Sequence, residues 1–493
     1  MARPELSEFL AYAREGTYAR APVSTEIMSD FITPIEVMRK MKTVSKHCYM
    51  LESALAQDRW GRYTFLGFDP VLGITCLNGE MKIGALSIKT NDPGSWLRRL
   101  LHEYRSPKFD YLPPFAGGLV GYFSYDYLKY AEPALNLDAE DTERFRDVDL
   151  MLFDKVIAFD NFRQKIILIA SADLREGETG YRKAERELRL LEDLIRNGRS
   201  EPDKAGRLTS PVRQLFDREA FITMVEGAKR HIREGDIFQI VLSNRLEADF
   251  EGSLLNTYRI LRTLNPSPYM FYFTGTDVEV AGASPETLVR LEDGILHTFP
   301  LAGTRPRGKT EEEDLALEDE LLSDPKELAE HNMLVDLGRN DIGKISRFGS
   351  VKVEISHEVL RYSHVMHIGS TVCGEIREDK DALDAIEAVL PAGTLSGAPK
   401  IRACQLINEL ENNKRGIYGG AIGYIDFSGN LDTCIAIRIA YKKNGKVFIR
   451  SGAGIVADSV PEKEYEECIN KAAAVLAALK EGTVLTETEG RLL

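Results

Sequence analysis

The segment KVFIRSGAGIVADSVPEKEYEECINKA, residues 446–472, carries the reading on which the fold assignment turns. KVFIRSGAGIV is rich in β-branched and aromatic residues and reads as a strand. EKEYEECINKA, after Pro461, reads as the opening of a helix over Lys463–Leu479. A strand passing through Gly452-Ala-Gly454 into a helix has the outline of a dinucleotide-binding βαβ unit. That unit needs its helix to open directly, and an acidic residue ~20 positions on at the end of a second strand. Here Pro461 interrupts and a single helix follows, so the dinucleotide reading is set aside.

Outward from this segment, AIGYIDF, CIAIRIAYKK, IFQIVLSNRL, YMFYFTGT, VEVAGAS and ILHTFPLAG are strand-like, and several are joined by short turn-rich links. Adjacent hairpin-like runs favour antiparallel pairing, with helices expected over Arg218–Arg233, Lys326–Leu337, Lys380–Val389, Lys400–Leu410 and Lys463–Leu479 on the outside. The expected class is α+β: large, mainly antiparallel sheets packed together, with helices outside them. KVIAFDNF and KIILIASA give a further hairpin signal, followed by a charged amphipathic stretch, Gly180–Arg196. The polar segment Arg196–Arg213, with two prolines and two glycines, suggests an N-terminal α+β region over 1–200 and a C-terminal region over 212–493. Lys309–Glu320 reads as a solvated helix face or loop.

The chain has 493 residues, 43% hydrophobic and 28% charged, with 63 Lys plus Arg against 77 Asp plus Glu and a formal charge of −14. This is the composition of an ordinary globular protein of roughly two to four folding units, and it excludes a disordered, collagen-like or disulfide-dense chain. The acidic balance argues against nucleic acid or an anionic membrane as main partner. It also means that an anionic substrate must be held by a local cationic pocket or a metal. Six scattered cysteines without a C-x-x-C pair read as buried thiols of a reducing compartment. The N-terminus lacks the apolar block of a signal peptide, and the uncharged run Tyr111–Tyr125 falls short of the ~18 residues of a spanning helix. A cytoplasmic location is expected.

Gly393–Lys400 and Gly452–Ala457 cluster backbone amides suited to anion binding, although GTLSGAPK lacks the spacing of a phosphate-binding loop. Glu327 and Glu330, like Glu464 and Glu467, stand three apart and so share one helix face. Four carboxylates with no accompanying His–Cys set would suit a hard cation such as Mg²⁺ in preference to zinc. Whether the two pairs converge is open at this level.

EGDIFQIVLSNR (234–245), GASPETLVR (282–290), PLAGTRPRG (300–308), ELAEHNMLVDLGRNDIGK (327–344), SHVMHIGS (363–370), LPAGTLSGAPKIRA (390–403), YGGAIGYI (418–425) and GAGIVADSVPEKEYEECINKA (452–472) resemble, in order, the motif series of the chorismate-utilising enzymes. The resemblance covers about residues 220–475 and extends more thinly through MLESA (50–54). It implies a chorismate-binding catalytic region over 212–493, and its wording is nearest to members that make anthranilate and pyruvate from chorismate and ammonia, the first committed step of tryptophan synthesis. By the same resemblance Mg²⁺ is held directly by Glu330 and Glu467, with Glu327 and Glu464 near it through water. Tyr418, Arg438 and Lys471 receive the enolpyruvyl carboxylate, and the amides of Gly452, Ala453 and Gly454 complete a nest for it. Glu286 is the general acid, and His367, with Thr394 close by, serves the loss of pyruvate.

Two positions sort the family by chemistry. Gln239 stands where water-adding members carry a lysine base, so an amine nucleophile is expected. Ala302, beside Gly303 and Thr304, stands where aminodeoxychorismate-forming members typically place a lysine, so ammonia is expected to attack the ring directly. An aminodeoxychorismate-forming enzyme is the alternative within the family. A silent tryptophan-binding regulatory protein is the alternative outside enzymes, and the complete catalytic set argues against it. None of the cysteines has the setting of a glutaminase nucleophile, and about twenty residues follow the last motif. A separate glutamine amidotransferase subunit, in a heterotetramer, is therefore the expected ammonia source. Glu52, Ser53, Asn265, Pro266, Ser267, Tyr269 and Met270 resemble a tryptophan feedback pocket to which the 1–200 region contributes.

Overall fold

The computed structural model describes residues 2–54, 61–361 and 365–482. Within them the strands form two antiparallel sheets, of 13 and 12 strands, between which the chain passes repeatedly. Along the chain, β1 (Cys48–Glu52) belongs to the first sheet and β2 (Gly118–Phe123) to the second. The first sheet then takes β3 (Gln239–Glu251), β4 (Tyr269–Thr274) and β5 (Glu279–Ser284). β6 (Thr287–Glu292), β7 (Leu301–Pro306), β8 (Val365–Glu375), β9 (Ala421–Asp426) and β10 (Leu431–Ile435) extend the second. β11 (Ile439–Lys443) and β12 (Lys446–Ile455) return to the first, where β12 lies between β11 and β3.

Residues on both sides of the 196–213 segment share both sheets. Met50 of β1 stands opposite Tyr272 of β4, and Tyr122 of β2 opposite Ile422 of β9. The polar segment itself adds two short strands, Arg207–Leu208 and Arg213–Gln214, to β3. The expected hairpin forms from Lys155–Asp160 and Lys165–Asp173.

Period-two alternation builds three layers from each strand. In β4, Phe271 and Phe273 face inward to an aromatic layer between the sheets, with Tyr49, Phe115, Tyr122, Phe153, Tyr424 and Phe448. Met270 and Tyr272 face outward, under helices. The helices lie outside, as the sequence pattern requires. They include α1 (Arg218–Glu234), α2 (Leu255–Leu264), α3 (Pro325–Gly343), α4 (Lys400–Glu411) and α5 (Pro461–Gly482). Asp217 caps α1 by accepting from the Ala220 amide, and left-handed Gly235 ends it. Asp324 caps α3 by accepting from the Lys326 and Glu327 amides, with Pro325 in its first turn. Pro461 fills the same position in α5, which is why it begins that helix instead of breaking it. Lys309–Glu320 falls largely on an exposed helix, Glu311–Ser323. All six cysteines are buried free thiols. Among the described residues no helix is long and apolar enough to cross a membrane.

Because Phe271 fills the space between the sheets with 2% exposure, Phe271→Ala is expected to lower the unfolding free energy by about 3–5 kcal/mol, as measured by urea titration; a loss below 1 kcal/mol would show that the layer collapses around the void.

Candidate active site

Two links where the chain crosses between the sheets lie side by side. Pro285–Glu286 joins β5 to β6, and residues 436–438 join β10 to β11. They are fastened to each other: the Ile435 amide donates to Glu286 O (3.0 Å), the Ala283 amide to Arg438 O (3.2 Å), and Ser284 Oγ to Ile435 O (2.7 Å). Arg438 adopts a left-handed backbone at φ +54°, which non-glycine residues seldom occupy. These paired links form one wall of a cavity of about 920 Å³, closed by β7, β8, β12 and the facing helices α3 and α5.

Glu286 is enclosed by protein, and burial pushes its carboxyl up to about 7 against the opposing effects of a Thr394 hydrogen bond and the Lys471 charge. Thr394 Oγ1 donates to its Oε1 at 2.9 Å. His367 lies in β8 with Nδ1 2.8 Å from Gly303 O and 3.1 Å from Thr304 Oγ1. With the Gly303 carbonyl as acceptor, Nδ1 carries the proton and Nε2 is the basic nitrogen. Burial, aided by Arg438, holds this imidazole below its usual pKa and so neutral. Gly303 is required here: its φ is +68°, and a Cβ would lie 3.2 Å from Glu327 Oε2.

Arg438 donates to the Lys471 carbonyl at 2.6 Å, and Lys471 Nζ reaches Gly452 O (3.1 Å) and Glu467 (2.6 Å). Tyr418 is buried in the floor, where a Cβ on Gly452 would lie 3.0 Å from its hydroxyl. Gln239, at the start of β3, and Ala302 line the same space.

The four glutamates do converge on this cavity. Burial raises Glu330, and the charges of Glu327 and, from α5, Glu467 raise it further. Glu464 is raised by burial and by Glu467. The carboxylates are spread out, however. Among the described residues, three ligand-type side chains come within 4.8 Å of one another only at His231, Glu234 and Asp236, on the surface beside Arg402. All four cavity donors are carboxylate oxygens without thiolate or imidazole, which suits a hard divalent cation. For Glu330 and Glu464, burial first and neighbouring carboxylates second raise the carboxyl, a cost that such a cation would relieve.

The Ala453 side chain points away from the cavity into a core with Phe221 and Ile240, because neighbours in a strand face opposite ways. Gly452 and Gly454 lie in the extended ladder opposite Ser243 and Val241, without the left-handed turn that a nest needs. Lys400 turns from the Gly393–Lys400 amides to Asp341 (2.7 Å). Asn265, Pro266 and Ser267 do not line the small cavity of about 70 Å³ between the sheets, which Glu52, Ser53, Tyr269 and Met270 do line. Pro266 is exposed, and Ser267 Oγ turns back to Asn265 O. Pro268, Tyr63, Tyr424 and Asp432 complete that cavity. Glu52 is held by Arg262 at 2.6 Å and by the Tyr258 hydroxyl.

The large cavity also takes Lys326, Lys463 and Arg450, which sequence reasoning passed over. The lysines had a signal: KELAE (326–330) and KEYEE (463–467) repeat one Lys-Glu-x-x-Glu pattern on the two facing helices. Arg450 had none.

The chain was compared with known proteins. The profile of the chorismate binding enzymes matches residues 46–477. Anthranilate synthase component 1 of Acetivibrio thermocellus is 44% identical over 492 residues, covering 97% of this chain and 98% of that protein. The Aquifex aeolicus protein of the same name is 45% identical over 476 residues, covering 94% and 95%. The crystal structure of anthranilate synthase component I from Streptococcus pneumoniae TIGR4 superposes with a TM-score of 0.77 at 38% identity, over 91% of this chain and 98% of that one.

Since Thr394 donates to the Glu286 carboxylate and favours its charged form, Thr394→Val is expected to move the Glu286 titration above about 7. Difference infrared spectroscopy of the carboxyl band reads this directly, and an unmoved midpoint would show that burial alone sets it.

Proposed function

The chain belongs to the chorismate-binding enzymes, and on that premise we propose that it converts chorismate and ammonia into anthranilate and pyruvate. The observation that carries the reading is a single cavity combining an enclosed acid, a neutral imidazole, paired cations and a glutamate cluster, in a chain 44–45% identical to its anthranilate-forming relatives.

Chorismate is a dianion, and both of its carboxylates must be neutralised against a chain of charge −14. Arg438, Lys471 and Tyr418 receive the carboxylate of the enolpyruvyl arm. Glu330 and Glu467, with Glu327 and Glu464 near them through water, would hold Mg²⁺. When bound, this ion supplies the positive charge that anchors the ring carboxylate and draws electron density out of the ring.

Glu286 then does what its burial prepares: it carries a proton near neutral pH and gives it to the departing ring hydroxyl. Gln239 provides no base to activate water, whereas ammonia brings its own lone pair. Ala302 offers no amine to compete, so the new C–N bond forms directly with ammonia. His367, neutral and with Nε2 basic, takes the ring proton as the enolpyruvyl group leaves and the ring becomes aromatic. Thr394 orients Glu286, and Gly303 with Thr304 orients His367. Ammonia comes from a glutamine amidotransferase subunit in a heterotetramer, in the cytoplasm, and tryptophan inhibits from the cavity between the sheets.

The purified chain with chorismate, Mg²⁺ and excess ammonium salt is expected to yield anthranilate and pyruvate, and to stop when EDTA is added. An aminated product that retains the enolpyruvyl arm would identify the aminodeoxychorismate-forming alternative. Glu286→Gln should lower the rate by about 10²–10⁴, and at fixed free ammonia the parent rate should fall as pH rises through about 7, where the acid loses its proton. A rate that is flat across this range would remove Glu286 from the acid role.

Ser53 lines a cavity of only about 70 Å³. Ser53→Phe is therefore expected to fill it and leave anthranilate formation insensitive to tryptophan. Parent-like inhibition in steady-state assays would place the effector elsewhere.

A further inference from the structure

Beneath the floor of the catalytic cavity lie three charged side chains that the proposed chemistry does not use. Glu411 at the end of α4, Arg415 one turn beyond, and Arg450 on β12 have side-chain exposures of 0–1%. Arg415 donates to both Glu411 oxygens, at 2.6 and 3.0 Å, and Arg450 donates to Glu411 Oε2 at 2.7 Å. Two guanidinium groups thus share one carboxylate.

Their other N–H groups go to neutral acceptors. Arg415 donates to Leu395 O (2.6 Å) and Val241 O (2.7 Å); Arg450 donates to Ser243 Oγ (2.8 Å), Asn413 Oδ1 (2.9 Å) and Lys414 O (3.1 Å). Hydrogen bonding is well met, but among the described residues Glu411 is the only carboxylate within ion-pair distance of either guanidinium, so one positive charge is left over. Nearby carboxylates are committed elsewhere, Glu247 to Arg245 (2.7 Å) and Asp141 to Lys414 (4.0 Å). A buried, unneutralised cation is costly and calls for a compensating anion.

The geometry shows where that anion would sit. Arg450 lines the cavity together with Tyr418 and Gly452. Arg415 lies over the Tyr418 ring at 5.8 Å and the Tyr125 ring at 4.7 Å. Its bond to Leu395 O also holds the loop that carries Thr394, and its bond to Val241 O holds the strand that begins with Gln239. We propose that Glu411, Arg415 and Arg450 form a buried electrostatic positioning unit whose single excess charge draws the enolpyruvyl carboxylate of the substrate onto Tyr418 and the Gly452 edge. The inference rests on the chorismate reading given above. Arg415 and Arg450 act here as positioning residues, working through Tyr418, Leu395 and the field across the floor. In a low-dielectric interior that field is screened by salt much less than a surface charge would be.

The test is charge arithmetic read in KM, using chorismate with Mg²⁺ and ammonium. Arg450→Met leaves a neutral Glu411–Arg415 pair, and KM should rise about tenfold with kcat within about twofold. Arg450→Lys restores the charge and should bring KM back to within about threefold of the parent. Glu411→Gln leaves two unneutralised charges, and KM should fall, although this variant too loses ion-pair stability. A merely structural cluster would lower the melting temperature in both Arg450→Met and Glu411→Gln and shift KM the same way, or not at all. Any pattern other than opposite movement overturns the inference. Should Arg450→Met fail to fold by circular dichroism, Arg450→Gln, which keeps a donor toward Glu411, carries the same expectation. Absence of anthranilate from the parent chain would instead overturn the chorismate reading, and this inference with it.

Discussion

The site depends on the fastening of two chain crossings. The chain leaves the first sheet after Ser284 and returns to it before Ile439, and the two links are tied by the Ile435 amide to Glu286 O and the Ala283 amide to Arg438 O. Crossing between packed sheets interrupts the ladder, so each link must find other partners for its backbone groups. Here Glu286 O and Arg438 O each accept from the strand end beside the other link, and Ala436 pairs with Gly419 and Gly420. The result is a rigid ridge that carries an acid on one link and a cation on the other, held by both sheets at once. Neither sheet alone could set the distance between Glu286 and Arg438.

Electrostatics follow from that frame. A dianionic substrate must approach a chain of charge −14, and the cavity meets this with local cations. Arg438 and Arg450 lie on the sheet side, while Lys326, Lys463 and Lys471 stand among the four carboxylates of α3 and α5. Burial acts in opposite senses on the two groups proposed to handle protons. It raises Glu286 so that a proton is present, and it lowers His367 so that a lone pair is present. One cavity thereby suits an acid and a base to the successive steps proposed.

Much of this was legible in the chain. The hairpin at Lys155–Asp173, the outer helices and the antiparallel class follow from patterns of period 2 and 3.6, which depend on local geometry alone. The paired glutamates were legible for the same reason, since three-residue spacing places two side chains on one helix face. The direction of the Ala453 side chain was not legible from the motif, which names consecutive residues, whereas a strand gives alternate side chains to opposite faces. That Asn265, Pro266 and Ser267 stand beside the small cavity without lining it was not legible either, because a turn next to a cavity need not line it. The other half of that cavity, Tyr424 and Asp432, comes from the opposite sheet and some 160 residues further along the chain.

By itself the sequence determined the elements, their faces, the residue types of the chemistry and the family resemblance, because each of these is written in local runs of residues or in the order of such runs along the chain. Only the tertiary structure decided that residues on both sides of the 196–213 segment share both sheets, that Lys326 and Lys463 join the glutamates at one cavity, and that Glu411 balances two arginines instead of one. Those outcomes are set by which distant surfaces are pressed together and dried. Burial of that kind fixes charge, protonation and position, and it has no counterpart in any local run of residues.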